Sequence, residues 1–369
     1  MREVAVVTTG FFDGVHLGHR HVLETLVSAA RERGEEAIVV TFWPHPRTVL
    51  QQDAREFRLL SSLDEKKELL LAAGAHRVEV LPFTRSFAAL TALEYLQLLQ
   101  ERFGASLVVM GYDNRIGSDR LTATQLMQSA SEGIGPQTVG FADPSQSPSC
   151  RCSSKLAHQQ AGLWAPPSYV AEGGHRFGDQ HPLLPCIAVV AEYACHSELS
   201  SCHSERSEES FSSCHTERSE CISSTQIRKA LEGGDIGRAN AMLGYPYQLY
   251  GVVVAGNRLG RTIGFPTANM QLYEPLKLVP GNGVYAVEVE VLGGSWRGMC
   301  NIGTRPTVGG TVRTIETHIL EFDEDIYGLP MRLRFLRRIR DERKFPSLEA
   351  LRAQLQEDST QLRRMEVTD

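Results

Sequence analysis

The sequence predicts an α/β domain of the doubly wound kind, built on a parallel sheet, followed by a small all-β barrel domain with a C-terminal helix. Three observations carry this reading. Apolar runs of strand length alternate with helix-period segments through the first part of the chain. Short alternating strands divided by Gly, Pro and Asn dominate beyond Tyr250. At 369 residues, the chain is also too long for one ordinary core.

Taken in order, Val4 to Val7 is a buried-strand signal ended by Thr8-Thr9-Gly10. A helical pattern follows from near Val15 through Val22, Leu23, Leu26 and Val27. Strand, glycine turn, helix opens a doubly wound domain, and "AIVVTF" (37–42), "RVEVL" (77–81) and "SLVVM" (106–110) add three strands. A parallel sheet of this kind takes its ligands at the C-terminal ends of its strands. From 143 to 178 the pattern dissolves into Ser, Pro, Gln and Gly, which reads as a long loop. "PCIAVVAEY" (185–193) is again a strand, and a helix starts after Ser223 or Ser224 and ends near Gly233-Gly234. A second short helix, Arg238 to Leu243, completes a first domain over 1–245.

The second domain, 246–369, contains "YGVVVAG", "GVYAVEVEVLG", "WRGMCNIG", "TIETHILEF" and "MRLRFLRRI", a series that closes or nearly closes a barrel. Pro346-Ser347-Leu348 opens a helix whose Leu348, Leu351, Leu355 and Leu362 form one stripe for packing on the barrel. Arg332, Arg334, Arg337, Arg338 and Arg340 interleave with Leu333, Phe335 and Ile339, which reads as an exposed strand face and not as an RNA contact.

A hydrophobic content of 42%, a charged content of 22% and a net charge of -6 are ordinary for a soluble domain, with no global pull toward nucleic acid or anionic lipid. No stretch approaches the roughly 18 apolar residues of a membrane span, and the start is too quickly polar for a signal peptide. The expectation is a cytoplasmic protein with no nucleic-acid or membrane partner. Seven of the eight cysteines fall between 150 and 221, and Cys202-His203-Ser204-Glu205-Arg206-Ser207-Glu208 returns almost unchanged from Cys214. The spacings of Cys195, Cys202, Cys214 and Cys221 are 7, 12 and 7, wider than a zinc knuckle. Residues 194–220 therefore read as a low-complexity segment with no apolar face to bury.

"TTGFFDGVHLGHR" (8–20) sets His16 and His19 three apart where a helix begins. Both imidazoles can then face whatever sits over the helix N-terminus, where backbone N–H groups favour an anion. Glycines at 10, 14 and 18 permit close backbone approach. Two histidines beside a phosphate suit stabilisation of charge during transfer at an α-phosphate. Ser223 and Gln226 have capping-box spacing, and Arg228 on that helix reaches back toward its N-terminus and the same phosphates. In "GNRLGRTIGFPTANM" (256–270), Thr267 and Asn269 are oxygen-bearing side chains two apart, suited to a hard Mg²⁺ ion beside ATP phosphates. Glu316, in "TIETHILEF", suits general-base activation of an alcohol there.

"GFFDGVHLGHR" and "ISSTQIR" resemble the paired signatures of the HxGH nucleotidyltransferases, and "TFWPHP" (41–46) and "GYDNRIG" (111–117) narrow this to the bacterial bifunctional riboflavin kinase/FAD synthetase family. The GFPTAN turn, "NIGTRPT" (301–307) and the glutamate of "ETH" resemble that family's riboflavin kinase domain. The resemblance implies a nucleotidyltransferase fold for the first domain and a Greek-key barrel for the second. It implies that His16, His19 and Arg228 hold ATP phosphates, with Gly10, Phe12, Asp13, Gly14, His45, Asp113, Asn114, Arg115, Ser223, Ser224 and Thr225 among the ATP- or flavin-binding residues. In the barrel it implies Gly260, Arg261, Gly264, Phe265, Pro266, Asn301 and Arg305 as binding residues, Thr267 and Asn269 as Mg²⁺ ligands, and Glu316 as the base taking the ribityl hydroxyl proton. Asn114 departs from the family, which commonly has an aromatic residue there.

The activities implied are ATP-dependent phosphorylation of riboflavin to FMN in the barrel and adenylylation of FMN to FAD with release of pyrophosphate in the first domain. The rival readings are a kinase whose adenylyltransferase half is disabled by the insertions, a flavin-binding regulator, and an RNA-binding protein. The intact set His16, His19, Arg228, Thr267, Asn269 and Glu316 argues for catalysis, and the net charge of -6 against RNA.

Overall fold

The computed structural model describes residues 4–50, 57–111, 114–126, 138–142, 186–190, 222–256, 260, 263–307 and 310–364. The loop expected at 143–178 and the insertion expected at 194–220 lie outside the described residues, as do Asp113 and Arg261.

The N-terminal sheet comprises β1 (Ala5–Thr9), β2 (Glu36–Trp43), β3 (Arg77–Pro82), β4 (Ala105–Gly111), β7 (Thr138–Ala142) and β8 (Cys186–Val190), in the order β3-β2-β1-β4-β8-β7. Every pairing in it is parallel. Between them run α1 (Leu17–Arg33), α2 (Pro46–Leu50), α3 (Leu63–Ala72) and α4 (Ala92–Phe103). Helix α1 packs Leu23, Leu26 and Ala30 on Val6, Val39 and Val109, whereas α4 packs Tyr95, Leu96 and Leu99 on Val7, Val40 and Val108. Helices thus cover both faces, and the near-continuous apolar strands are buried as a two-sided sheet requires. Strand order reverses at β1, between β2 and β4, which puts a ligand crevice at the C-terminal ends of β1 and β4.

Strand β7 has no counterpart among the expected strands. Its five residues, TVGFA, carry a central glycine and occupy the sheet edge, so the sequence pattern does not mark them. Helix α1 also starts later than the periodicity suggests: Val15 has φ 37°, outside the right-handed helical region, and His16 becomes the N-cap.

After a small hairpin, β5 (Arg115–Ile116) with β6 (Leu121–Thr122), and β8, the chain forms α5 (Ser224–Glu232) and α6 (Ile236–Leu243). It then enters a closed antiparallel barrel of β9 (Tyr247–Val254), β10 (Ala268–Leu272), β11 (Gly283–Val291), β12 (Gly294–Thr307), β13 (Gly310–Ile319) and β14 (Pro330–Arg340). The ring order β10-β13-β12-β11-β14-β9 contains the meander β11-β12-β13 with β14 returned beside β11, which is the Greek key expected. Val287, Val289, Ile302, Ile315, Leu333 and Phe335 fill the barrel, and Ile227, Leu231, Ile236 and Leu243 of α5 and α6 belong to the same apolar cluster.

Helix α7 (Leu348–Arg364) lies outside the barrel, with Leu362 against Val284, Ala286, Met299 and Leu320. Of the expected leucine stripe, Leu362 is buried and Leu351 and Leu355 are half-buried, but Leu348 is 48% exposed. The helix is fastened instead by buried Asp358, whose carboxylate accepts from Arg340 at 2.9 Å. The arginine face of β14 is likewise not bare: Arg334 pairs with Glu290 at 2.6 Å, Arg332 with Glu68 at 3.2 Å, and Arg338 donates to the Asn282 carbonyl.

Candidate active sites

The loop after β1 is held from below. Thr8 Oγ1 donates to the Val109 carbonyl at 2.8 Å, and Asn114 Nδ2 donates to the Thr9 carbonyl at 2.9 Å, tying both walls of the crevice together. Phe12 takes φ 46° and Gly14 φ 82°; a Cβ on Gly14 would also stand 3.0 Å from Leu60, so this position needs glycine. Asp13 is 3% exposed, and its carboxylate accepts from Leu60 N at 3.0 Å, Ser61 N at 3.1 Å and Arg228 Nη2 at 2.5 Å. It sits under the loop as an anchor.

His16 caps α1 by accepting from His19 N at 3.4 Å, and the two imidazoles stack with centroids 3.6 Å apart. They therefore stand at N-cap and N3, at the helix start where the spacing of three puts them. Burial pulls the His16 pKa down to about 4, with Asp13 opposing and Arg228 adding to the fall. Burial, then His16 and Lys66, hold His19 well below the ordinary histidine range. Both rings are neutral at pH 7, so each offers a polarisable donor without a fixed charge. His45 closes the same pocket, its ring 4.4 Å from that of Phe57 and 5.2 Å from that of Phe11.

Helix α5 brings a second N-terminus alongside. Ser223 caps it by accepting from Gln226 N at 3.4 Å, and Ser224 Oγ donates to the Asp13 carbonyl at 3.1 Å. A Cβ on Gly18 would meet the His16 ring at 3.3 Å and the Ile222 carbonyl at 3.8 Å, so the two helix starts are neighbours. Arg228 lies over the Phe57 ring, with Nε on the Arg58 carbonyl at 2.9 Å and Nη2 on Asp13. Nη1 is the nitrogen it can turn toward an anion. Gly10 directly follows β1, Thr225 is exposed in the first turn of α5, and Arg115 is exposed on the hairpin.

The second constellation lies on the outer face of the barrel. Ile315 and Ile319 point inward, so Glu316 and His318 point out. Asn269 on β10 stands directly opposite Glu316 on β13, and Asn301 on β12 stands opposite Glu316 on its other side. A carboxylate is thus flanked by two amides in one row across three strands. Asn269 fills the space over Gly256, where a Cβ would collide with its Nδ2, and a Cβ on Gly260 would collide with the Phe265 carbonyl. The GFPTAN turn is fixed from the other side by His318 Nδ1 bonded to the Pro266 carbonyl at 2.8 Å. Gly264 has φ 84°, Thr267 is half-buried ahead of β10, and Arg305 belongs to β12 by its backbone.

Residues 1–155 match the model of the FAD synthetase family, and residues 243–366 that of riboflavin kinase. The bifunctional riboflavin kinase/FMN adenylyltransferase of Escherichia coli (strain K12) is 33% identical over 97% of this chain and 91% of that protein. The chain belongs to the bifunctional riboflavin kinase/FMN adenylyltransferase family. The Bacillus subtilis (strain 168) member is 29% identical over 96% of this chain and 90% of its own length. A crystal structure described as a macrolide-efflux protein from Streptococcus pneumoniae has the same fold, with a TM-score of 0.73, 27% identity and coverage of 98% of this chain and 95% of that one. Among the described residues of this chain, no helix is long and apolar enough to cross a membrane.

One group in the first pocket escapes a reading of the sequence. Lys66, on α3, is 1% exposed and its charge bears on both His19 and His45. Its place follows from the Ser62 and Glu65 capping box that starts α3, a signal present in "SSLDEK".

Proposed function

We propose that the barrel phosphorylates riboflavin and that the crevice at β1 and β4 adenylylates the resulting FMN, with the chain divided at 245/246 between the two activities. The observation that carries the kinase half is the Asn269, Glu316, Asn301 row. In this reading Glu316 takes the proton of the ribityl terminal hydroxyl as its oxygen attacks the γ-phosphorus of ATP, and the bond to the β-phosphate oxygen breaks to release ADP. Thr267 Oγ1 and Asn269 Oδ1 are hard oxygen donors with a carboxylate beside them, a set that fits Mg²⁺. Among the described residues no cluster of three acidic, His or Cys side chains competes as a cage, which suits an ion that keeps waters and binds phosphates. When bound, Mg²⁺ supplies neutralisation of the phosphate charge.

In the first domain an FMN phosphate oxygen attacks the α-phosphorus of ATP, and the α–β bridging bond breaks to release pyrophosphate. The stacked His16 and His19 donate to phosphate oxygens as charge shifts to the leaving group, and Arg228 reinforces them from α5. Asp13 holds loop, Arg228 and α5 in register. Gly10, Phe12, Gly14, His45, Asn114, Ser223, Ser224 and Thr225 shape the ATP and flavin pocket. Gly260, Gly264, Phe265 and Pro266 shape the kinase turn. ATP as co-substrate of both steps supports a cytoplasmic setting. The test is to incubate the protein with riboflavin and Mg·ATP and to separate FMN from FAD chromatographically. FMN followed by FAD is expected, and formation of neither overturns the reading.

A further inference from the structure

We propose that Lys66 is a phosphate-binding residue of the adenylyl-transfer site, its ammonium meeting either the 5′-phosphate of FMN or the β- and γ-phosphates of ATP. Lys66 follows Glu65 on α3, but the two face different tasks. The Glu65 carboxylate is spent on the Lys277 ammonium at 2.5 Å and on Ser62 N at 2.7 Å. The Lys66 side chain is 1% exposed and its ammonium makes no hydrogen bond or ion pair with any described residue. Asp13, the acidic group whose field reaches it, is already engaged by Leu60, Ser61 and Arg228.

A buried ammonium without a partner is costly, and a fold that keeps one commonly does so to meet an anion. The surroundings agree. His19 Nδ1 and Gln226 Oε1 are also buried without partners among the described residues, and His16 and His19 are neutral. Arg228, the other cation that acts on this pocket from a partly buried position, is already paired with Asp13, whereas Lys66 has no carboxylate of its own. Substrates that bring a phosphate monoester and a triphosphate into one crevice need such a charge.

This inference rests on adenylyl transfer occurring at the His16 and His19 pocket. The test compares wild type with Lys66→Met and Lys66→Arg, measuring FAD synthesis from FMN, riboflavin phosphorylation and the melting temperature. Loss of a charge-assisted contact predicts that Lys66→Met lowers FAD synthesis about 10- to 100-fold. Riboflavin phosphorylation should stay within about twofold, because the barrel site is elsewhere, and the melting temperature should hold or rise, because an unpaired buried charge is gone. Lys66→Arg should recover most of the rate. A raised KM for FMN with unchanged inhibition by pyrophosphate assigns the contact to the flavin phosphate, and weakened pyrophosphate inhibition assigns it to ATP. Unchanged FAD synthesis in Lys66→Met, or a loss accompanied by an equal loss of kinase activity and a lower melting temperature, overturns the inference. Should Lys66→Met fail to fold, Lys66→Arg with less than a tenth of wild-type FAD synthesis and a native melting temperature overturns it too. A wild-type protein without FAD synthesis overturns the underlying reading instead.

Discussion

Asp13→Asn isolates the anchor beneath the first site. The substitution preserves volume and one acceptor oxygen but replaces the other with an NH₂ donor, which must face either the Leu60 amide or the Arg228 guanidinium. Asp13 is 4% exposed at its side chain and Arg228 15%, so this is a buried pair. Removing one partner of a buried pair costs about 3–5 kcal/mol, and the bonds that the substituted amide keeps to Leu60 or Ser61 place the expected loss near the lower end, about 3 kcal/mol. For a domain of about 150–250 residues that lowers the melting temperature by roughly 6–12 °C. Calorimetry on Asp13→Asn, Arg228→Met and the double variant checks it. The double variant should be less destabilised than the sum of the singles, by about 2 kcal/mol. Additive effects within about 0.5 kcal/mol, or an unshifted Asp13→Asn, would refute the anchor and return Asp13 to the ligand.

The two reactions should separate: His19→Ala should lower FAD formation roughly 100-fold or more and leave FMN formation intact, while Glu316→Gln should do the reverse. Equal damage to both in a folded variant would end the two-site account. Asn269→Ala should slow the kinase in a way that added Mg²⁺ partly restores, since waters can replace one amide ligand, and indifference to Mg²⁺ across a titration would make the residue structural. His16 has a pKa of about 4 when folded and about 6.5 when unfolded, so the unfolded chain binds more protons between those values and stability rises with pH across that window. About 3 kcal/mol should be lost from pH 7 to below pH 4 through this group, and His16→Asn should flatten that part of a denaturant-midpoint profile. An unchanged slope would contradict the buried neutral imidazole.

Much of this is legible in the sequence because both sites are carried by local strings. Spacing alone places His16 and His19 at the start of α1, and the short string "ETH" marks Glu316 as the candidate base. Other features need tertiary knowledge. The row of Asn269, Glu316 and Asn301 is a matter of barrel register, and nothing in three separate segments states it. Asp13 reads as a ligand from its motif, yet its bonds run to Leu60, Ser61 and Arg228, 47 to 215 positions away. The arginines of β14 alternate as expected, but their partners, Glu288 and Glu290 on β11, appear only when the barrel closes. Lys66 is opaque for the opposite reason: a lysine beside a glutamate on a short helix reads as solvated surface, and burial reverses that meaning.

Adjacent positions on a helix point about 100° apart, and α3 uses that angle to face two ways. Glu65 holds Lys277 of the barrel domain, which also donates to the Leu60 carbonyl at 2.8 Å and lies over the Tyr247 ring. Lys66, one position on, is buried, and its charge bears on His19 and His45. Leu59 bonds on both sides to the same barrel segment, accepting from Leu278 N and donating to the Leu276 carbonyl, each at 2.8 Å. The very next residues, Leu60 and Ser61, donate to Asp13. The 276–278 segment is thus bonded through residues 59–61 to the carboxylate that fixes the loop after β1, and through Glu65 to the helix that carries Lys66. Because α5 and α6 also bury their apolar faces in the barrel cluster, Arg228 is positioned partly by the other domain. The two sites are separate in their chemistry and joined in what holds them in place.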